Sequence, residues 1–294
     1  MIVFFGSGED ICIRMAVDFA SEFGIEHRFI DQCALDCDDL WLKVGPMAVT
    51  CSARVSGEMF ALDDVIGVYA RPLGIASTTQ SRAFTTAFTE WLDQVDTLVV
   101  NRPISMRSNS SKPYQSQLIG QAGFSVPETL VTNDPEAVRA FHRQHGRVIF
   151  KSTSGIRSIV RELDDDYLAN VGRVRSLPTQ FQAFVEGVDV RVHVVGEQVF
   201  ATEMISTAID YRYAARDGDE VIHRAVELDA DMTARCRTLA STLQLPLCGI
   251  DLRRSSGGTY VCFEVNPMPA FSYYVSRTGQ PIVQALVELL AGEA

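Results

Sequence analysis

Positive charge, lysine, paired cysteines and long apolar runs are all scarce or absent in this chain. Its 294 residues carry 26 Lys and Arg against 37 Asp and Glu, which gives a formal net charge of −11. A nucleic-acid-binding surface needs basic side chains to replace the counterions of the phosphates, so this charge argues against a nucleic-acid partner. No stretch of about 20 apolar residues occurs, so we also expect no membrane-spanning helix.

The seven cysteines are scattered and odd in number, and no C-x-x-C pair occurs. Cys33 and Cys37 are close in sequence but lack a histidine or a further cysteine at a spacing that suits zinc. We therefore expect reduced thiols and a cytoplasmic protein, because thiols stay reduced in the cytosol. Apolar residues make up 47% of the chain and charged residues 21%, which is typical of a soluble globular protein.

Lysine is so rare that each one is informative, since Lys43, Lys112 and Lys151 are the only three among the 26 basic residues. Lysine binds phosphate as a compact point charge, a role distinct from the planar fork of arginine. Lys112 opens a predicted helix after a polar stretch, 105–111, that we interpret as a domain joint. Lys151 follows the apolar residues 148–150, where an unpaired charge would be costly. Both positions favour a polyphosphate partner; the alternative for Lys112 is a surface lysine at a helix start.

The amino-terminal residues have the pattern of a small α/β domain. The apolar run 2–5 is typical of a buried strand, a glycine-containing turn follows at 6–8, and apolar spacing predicts a helix over 10–23 and a strand over 25–30. This order of strand, turn, helix and strand predicts a layered α/β unit. The turn is not a dinucleotide fingerprint, because the third glycine is missing.

Two strand patterns near the carboxyl end flank a turn signal. Residues 249–253 and 260–265 are rich in β-branched and aromatic side chains, and the Ser and Gly residues between them favour a hairpin. Closing the hairpin around Ser256 and Gly257 predicts three cross-strand pairs: Leu252 with Val261, Asp251 with Cys262, and Ile250 with Phe263. Because side chains alternate faces along a strand, one face becomes a core face made of Ile250, Leu252, Val261, Phe263 and Val265.

The other face of this hairpin carries Asp251, Glu264 and Asn266. In the predicted register the two acids are diagonal neighbours, roughly 7–8 Å apart at the backbone, which long side chains can bridge. Two carboxylates aimed at one point repel unless a proton or a cation lies between them. Oxygen ligands suit a hard cation, above all Mg²⁺, which takes one or two carboxylates together with substrate phosphates. We predict a metal site here; the alternative is an exposed polar face on a half-buried hairpin.

Four segments, in this order along the chain, resemble the ATP-grasp ligases. The likeness is to the branch of ribosomal-protein-S6-modifying enzymes, which includes peptide-macrocyclising maturases, and it covers residues 105–294. The segments are NSSKPYQSQLIGQAGFSVPETLVTND (109–134), VIFKSTSG (148–155), QAFVEGVDVRVHVVGEQVFATEM (182–204) and CGIDLRRSSGGTYVCFEVNPMPAF (248–271).

The resemblance implies an ATP-grasp fold of mixed α/β and α+β class. An amino-terminal α/β domain, similar to a pre-ATP-grasp domain, would precede two lobes that clamp ATP between antiparallel sheets. We assign residues 1–104 to the amino-terminal domain, 105–182 to the small lid subdomain and 183–294 to the carboxy-terminal subdomain with the metal site. The implied cofactors are ATP and two Mg²⁺ ions, with Mn²⁺ as the substitute.

The resemblance also implies contacts to the nucleotide. The segment 182–185 matches the one that binds adenine through backbone N–H and C=O groups, and Asp189, or alternatively Glu186, would take the ribose hydroxyls. Ser154 lies in a turn of small residues that would supply donors over the phosphates. The residues at nucleotide-binding positions are Lys112, Lys151, Ser154, Gln182, Ala183, Phe184, Val185 and Asp189.

Two arginines match catalytic positions of the family. Arg191 resembles the arginine that contacts phosphate, and Arg212, in IDYRYAARDG (209–218), resembles one that meets the acyl phosphate or the nucleophile. The metal ligands of the family fall on the three polar residues of the hairpin. Glu264 would bridge two ions, Asp251 would hold one of them and Asn266 the other.

These features predict an ATP-dependent ligase that joins a carboxylate to an amine through an acyl phosphate and releases ADP and phosphate. An amino acid or a short peptide is the favoured substrate, because the chain is compact. The first alternative is a maturase that forms ester or amide crosslinks in a ribosomal peptide, or extends a peptide or protein. The second is a nucleotide-binding module without turnover. We expect no membrane partner, and a homodimer is an allowed assembly.

Overall fold

The structure, a computed structural model, describes residues 1–35, 38–47, 49–74, 78–152, 160–206 and 221–293. Within these ranges the chain forms four β-sheets with helices packed against them. None of the helices in these ranges combines the length and the apolarity needed to cross a bilayer.

The amino-terminal part combines a parallel sheet with a smaller antiparallel one. The parallel sheet has the strand order β2-β1-β6-β7, and β3, β4 and β5 form the antiparallel sheet. Both β1 and β6 are buried along their whole length, as is typical of strands covered on both faces. The elements are β1 (Ile2–Gly6), α1 (Ile11–Glu22), β2 (His27–Asp31), β3 (Asp39–Val44), β4 (Val49–Val55), β5 (Glu58–Ala61), β6 (Gly67–Arg71), α2 (Thr79–Leu92) and β7 (Leu98–Val100).

Helix α1 begins at a buried cap that also joins distant parts of the chain. The carboxylate of Asp10 accepts hydrogen bonds from the first turn of the helix and thereby satisfies its free N–H groups. The same carboxylate pairs with Arg71, at the end of β6, over 3.0 Å, and each side chain is only 8% exposed. Arg71 Nη1 also donates to the carbonyl of Pro269 at 3.0 Å. This ion pair therefore ties the parallel sheet to the loop that follows the predicted metal-binding strand.

The middle of the chain contains a small antiparallel sheet with the order β10-β9-β11-β8. Helix α3 precedes this sheet in the chain but packs elsewhere, against the strand that contains Val265. The side chain of Gln115 exchanges two hydrogen bonds with the backbone of Val265, at 2.8 and 3.0 Å. The elements are a 3₁₀ helix (Ser105–Ser110), α3 (Lys112–Gln121), β8 (Thr129–Thr132), α4 (Pro135–His145), β9 (Val148–Ser152), β10 (Arg161–Glu162), α5 (Asp165–Ala169), a second 3₁₀ helix (Val171–Ser176) and β11 (Thr179–Ala183).

The carboxy-terminal part is built on a five-stranded antiparallel sheet with the order β14-β13-β12-β15-β16. One face of this sheet packs against α6 and α3, and the opposite face packs against α7 and α8. The elements are β12 (Val188–Val195), β13 (Gln198–Ile205), β14 (Ile222–Val226), α6 (Ala230–Thr242), β15 (Leu247–Arg254), β16 (Tyr260–Asn266), α7 (Ser272–Thr278) and α8 (Ile282–Ala291).

Helix α8 lies in the core shared by α1, the parallel sheet and the carboxy-terminal sheet. The last helix of the chain therefore fastens the amino-terminal part to the sheet that carries the predicted metal ligands. Because α3 also packs on the carboxy-terminal sheet, residues 112–121 lie beside that sheet. The domain boundaries at 104/105 and 182/183 stay predictions.

The register of the β15–β16 hairpin differs from the predicted one. Residues 255–259 form the turn, in which Gly258 has φ +81° and its N–H donates to the carbonyl of Ser255 at 3.0 Å. A two-residue turn at Ser256 and Gly257 was wrong, because this longer loop places its positive φ at Gly258 instead. The observed pairs are Arg254–Tyr260, Arg253–Val261, Leu252–Cys262, Asp251–Glu264, Ile250–Val265 and Gly249–Asn266.

A β-bulge at Phe263 accounts for the rest of the difference, because the register shifts between Asp251 and Leu252. Ile250, Leu252 and Val265 lie in the core, as predicted. Val261 and Phe263 were wrongly assigned to the core face: Cys262 takes the buried position, and Phe263 lines a cleft on the other side of the sheet together with Glu264.

Residues 184–187 link the small sheet to the carboxy-terminal sheet, and Gly187 is the tightest point of this linker. Its φ is +147°, and a Cβ atom there would lie 2.2 Å from the carbonyl oxygen of Arg254. Since only glycine adopts this conformation without strain and only a hydrogen fits the space, the linker passes across β15 at one fixed point.

The Gly187→Ala variant should therefore be less stable by about 1–3 kcal/mol, the typical cost of a strained backbone residue. Gly257→Ala is the matched control, because its Cβ would meet only Ser255 Oγ, at 3.9 Å. Thermal unfolding followed by circular dichroism compares the two. Equal melting temperatures would contradict the close passage of the linker across β15.

Candidate active site

About half of the predicted site residues come together in an open cleft between the small sheet and the carboxy-terminal sheet. The cleft has a volume of about 110 Å³. Its lining includes six residues at predicted site positions: Lys151, Gln182, Phe184, Asp189, Asp251 and Glu264. Strands β9 and β11 supply one wall, and β12, β13, β15 and β16 supply the other.

At the carboxy-terminal wall, Asp251 and Glu264 are direct cross-strand partners. Each carboxylate is paired with a positively charged side chain. Lys112 Nζ donates to Glu264 Oε1 at 2.7 Å, and Arg191 Nη1 donates to Asp251 Oδ1 at 2.6 Å. These cations relieve the repulsion of the two acids, which are only about a quarter and a third exposed.

Arg191 is held in a space that a glycine leaves open. It pairs across the strands with Asp251, and a Cβ atom on the neighbouring Gly249 would lie 2.0 Å from Arg191 Nη2. The ring of Tyr274 lies 5.8 Å from the guanidinium carbon. Arg191 is therefore buried and fixed in direction, which a surface arginine is not.

His193, two residues along the same strand, is fully buried behind Arg191 and packs against Tyr274 with ring centroids 4.9 Å apart. Burial, together with the charge of Arg191, holds the pKa of His193 well below 6.5. The imidazole is therefore neutral at physiological pH and adds no positive charge to the site.

Asn266 ends β16 opposite Gly249, and its Oδ1 accepts a hydrogen bond from the N–H of Met268 at 3.0 Å. In the described ranges, no cluster of three or more His, Cys, Asp or Glu side chains suits a metal. A metal at this site would therefore depend on two carboxylates, an amide oxygen and oxygen atoms from a bound substrate.

Lys151 lies on β9, across the cleft from the carboxylates, and lines the same cavity as Asp251 and Glu264. The structure thus brings one lysine from each side of the cleft to the acidic pair. Ser154 and Arg212 lie outside the described residues.

The predicted adenine segment, 182–185, consists of the end of β11 and the start of the linker. Gln182 is buried and donates to Thr129 Oγ1 at 3.1 Å. The N–H groups of Ala183 and Phe184 already donate to the carbonyls of Glu128 and Arg147. The guanidinium carbon of Arg147 lies 3.7 Å from the centre of the Phe184 ring.

The two candidate ribose acids differ sharply in their surroundings. Asp189 is only 19% exposed and receives two hydrogen bonds from Arg253, at 2.8 and 2.9 Å. Glu186 is 84% exposed and lies 3.6 Å from Arg147. Of these two acids, Asp189 is therefore the one whose carboxylate is fixed and lines the cleft.

Sequence reasoning missed one arginine that contacts this region: Arg253 binds Asp189 from the neighbouring strand. Arg71 was considered from the sequence and expected on a solvated face, which was wrong, because it is buried and donates to the carbonyl of Pro269 in the loop after Asn266. Strand alternation from Asp251 would have placed Arg253 on the site face, but with 23 arginines in the chain nothing else singled it out.

The comparisons with known proteins agree with this geometry. Residues 109–290 match the RimK-like ATP-grasp domain. The chain is 23% identical to the probable alpha-L-glutamate ligase of Shewanella loihica over 219 residues, which cover 71% of this chain and 72% of that relative.

A solved structure of the ATP-grasp ligase PsnB with a minimal precursor matches with a TM-score of 0.81 and 27% identity, over 99% of this chain and 98% of that one. Its complex with a phosphomimetic variant of the minimal precursor, Mg and ADP matches with a TM-score of 0.80 and 26% identity over the same shares. These matches confirm the predicted ATP-grasp fold.

The domain match spans more than half of the chain and includes both strands of the carboxylate hairpin. The predicted family is therefore confirmed: this chain belongs to the RimK-like ATP-grasp family and is an ADP-forming ligase.

Proposed function

We propose that this ligase joins a carboxylate to an amine or hydroxyl group of a peptide, with ATP as co-substrate and an acyl phosphate as the intermediate. The observation that carries the proposal is the directly opposed pair Asp251 and Glu264, each held by a cation, with Lys151 across the cleft. Opposed acids with lysines around them suit a polyphosphate and its metal ions.

The residues present fit Mg²⁺. Two carboxylates and an amide supply only oxygen donors, which suit a hard cation, and the pair already needs positive charge to stay together. Asp251, Glu264 and Asn266 would hold the metal, with Glu264 shared if two ions bind, and Mn²⁺ would accept the same donors. When bound, the metal supplies charge neutralisation for the transferring phosphate.

The basic residues would then exchange carboxylate oxygens for phosphate oxygens. Lys112 approaches from α3, on the carboxy-terminal side, and Lys151 from the small sheet, so the two lysines would hold the phosphates from both walls. Arg191, fixed beside Gly249, would contact the phosphate that is transferred. Arg212 keeps its proposed contact with the acyl phosphate or the nucleophile.

The nucleoside would lie at the linker, with adenine against 182–185 and the ribose hydroxyls at Asp189. The cleft holds about 110 Å³, less than the roughly 300–1,000 Å³ typical of ligand sites, so we expect the two sheets to move apart when the nucleotide enters. The chain crosses between the small sheet and the carboxy-terminal side twice, at 122–128 and at 184–187, and the sheets would move about these two connections.

In the reaction, an oxygen of the substrate carboxylate attacks the γ-phosphorus, ADP leaves, and an acyl phosphate forms. The amine or hydroxyl then attacks the acyl carbon, the C–O bond to phosphate breaks, and phosphate leaves with the proton that the amine or hydroxyl loses. Lys112, Lys151 and Arg191 would stabilise the negative charge and keep the reactants in line, which is most of what phosphoryl transfer needs from a protein.

A peptide is the substrate class that the comparisons favour. PsnB was solved with a precursor, and its likeness extends over nearly the whole of both chains. The glutamate ligases match over 71% of this chain, which favours, as second candidate, addition of an amino acid such as glutamate. The paired cations around intact acids argue against a module without turnover. A homodimer and a cytoplasmic location stay predictions.

Replacing Glu264 by Gln should lower ADP release from Mg²⁺-ATP at least ~100-fold, because the metal loses a charged ligand. The fold should persist, since Gln has the same size. Glu197→Gln is the control, as this acid is 90% exposed in the turn after β12. A Glu264→Gln enzyme as active as this control would contradict the metal assignment.

Replacing Lys112 by Ala should lower kcat/KM for ATP about 10–100-fold, because one charged hydrogen bond to phosphate contributes about 1.5–3 kcal/mol. Lys43→Ala, on exposed β3, is the matched control. Steady-state ADP release measures both. Equal values in the two variants would remove Lys112 from the phosphate site.

Mass spectrometry of the reacted peptides tests the substrate class. We expect ADP release with pooled peptides that carry Asp or Glu together with Lys, Ser or Thr, and loss of one water mass from the reacting peptide. A gain of one amino-acid residue instead would favour the glutamate-ligase candidate. ADP release with free amino acids alone would overturn the peptide proposal.

A further inference from the structure

Arg253 ties together the parts of the cleft at the linker end. All three of its guanidinium nitrogens donate: Nε and Nη2 to the two oxygens of Asp189, at 2.8 and 2.9 Å, and Nη1 to the carbonyl of Val185 at 2.9 Å. Its side chain is 12% exposed. A planar fork with five donors can satisfy three acceptor atoms at once, which the single ammonium of lysine cannot do.

Aromatic rings hold the guanidinium in this direction. Its carbon lies 5.5 Å from the ring centres of both Phe184, on the linker, and Phe263, at the bulge. Contacts of this kind are attractive and favour one orientation of the fork. The bulge places Phe263 on the cleft side, so the same backbone irregularity that pairs Asp251 with Glu264 also positions Arg253.

Arg253 joins two elements that are distant in sequence. Val185 belongs to the linker and Asp189 to β12, whereas Arg253 lies on β15, as the cross-strand partner of Asp189. Without Arg253, the Val185 carbonyl would lose the side-chain donor that fixes its direction. The acid and the carbonyl are therefore held in one fixed relation by a single side chain.

We propose that Arg253 is a positioning residue for the nucleoside of ATP, a role that depends on the proposed function. A carbonyl oxygen has two lone pairs and a carboxylate about four acceptor sites, so both groups can accept from Arg253 and from a ligand. The Val185 carbonyl, held in place, would accept from the amino group of adenine. Asp189, held in place, would accept from the ribose hydroxyls.

A carbonyl fixed in this way discriminates between purines. Adenine offers an amino group at the position where guanine offers an oxygen, and two oxygens without a proton between them repel. Loss of Arg253 frees the carbonyl to turn, so the preference for adenine over guanine should fall together with affinity. A side chain that only stabilised the fold would change both affinities alike.

The test compares Arg253→Lys with Arg254→Lys. Arg254 is the next residue on β15 and pairs with Glu203 on the other face of the sheet, so it is a matched arginine outside the cleft. Calorimetric titration with Mg²⁺-ADP and Mg²⁺-GDP gives both affinities, steady-state assays separate KM for ATP from kcat, and melting temperatures report the fold.

For Arg253→Lys we expect about tenfold weaker ADP binding, a similar rise in KM for ATP, a change in kcat below about threefold, and a smaller ADP-to-GDP preference. Arg254→Lys should leave all four values within about twofold. In an Asp189→Asn background, Arg253→Lys should cost less than it does alone, because the two residues act as one unit.

Two results would overturn the proposal. If Arg253→Lys lowers the melting temperature but keeps the ADP affinity and the ADP-to-GDP preference of the unmodified protein, Arg253 serves the fold alone. If the unmodified protein binds neither nucleotide, the proposed function fails and this role fails with it. Binding by the unmodified protein thus separates the two failures.

Discussion

The structure of the cleft depends on one pair of like charges, Asp251 and Glu264, set directly opposite one another on adjacent strands. Opposed acids repel, and ion pairs with a lysine from α3 and an arginine from β12 offset this repulsion. Helix α3 is itself held on β16 by the paired hydrogen bonds of Gln115. The cations that neutralise the acids therefore come from both sides of the hairpin: Lys112 from the helix packed on β16, and Arg191 from the strand paired with β15.

The one extra residue of the β-bulge, Phe263, changes which side chains of the hairpin face the cleft. In a regular ladder Phe263 would point away from Glu264, but the bulge brings both to the cleft and leaves Cys262 and Val265 in the core. The acid thus meets its cross-strand partner, and the ring meets Arg253. Bulges next to functional sites redirect side chains in this way, and here one shift serves both ends of the cleft.

The sequence was sufficient for the family and the fold, because four ordered segments carried them and strand alternation grouped the acids on one face. The register was wrong, because the turn length and the bulge are decided by packing: Cys262 N–H donates to the carbonyl of Ser125, from a segment far away in sequence. Arg253 was missed for a related reason. Its partners Val185 and Asp189 precede it by more than sixty residues, and nothing local distinguishes it from the other arginines.

Many basic residues of this chain are arginines, and several of them have a structural role that the net charge does not show. Buried or largely buried arginines join separate parts of the chain: Arg71 links the parallel sheet to the loop after β16, Arg253 links β15 to the linker, and Arg191 links β12 to β15. Each uses a planar fork to bind fixed acceptors, which is the task for which arginine is suited. Lysine, with a flexible stem and a point charge, suits positions at which a partner is exchanged, as we propose for Lys112 and Lys151. On the proposed function, the two side chains would divide the work by their geometry: Arg71 and Arg253 hold the walls, and both lysines, together with Arg191, would bind phosphate.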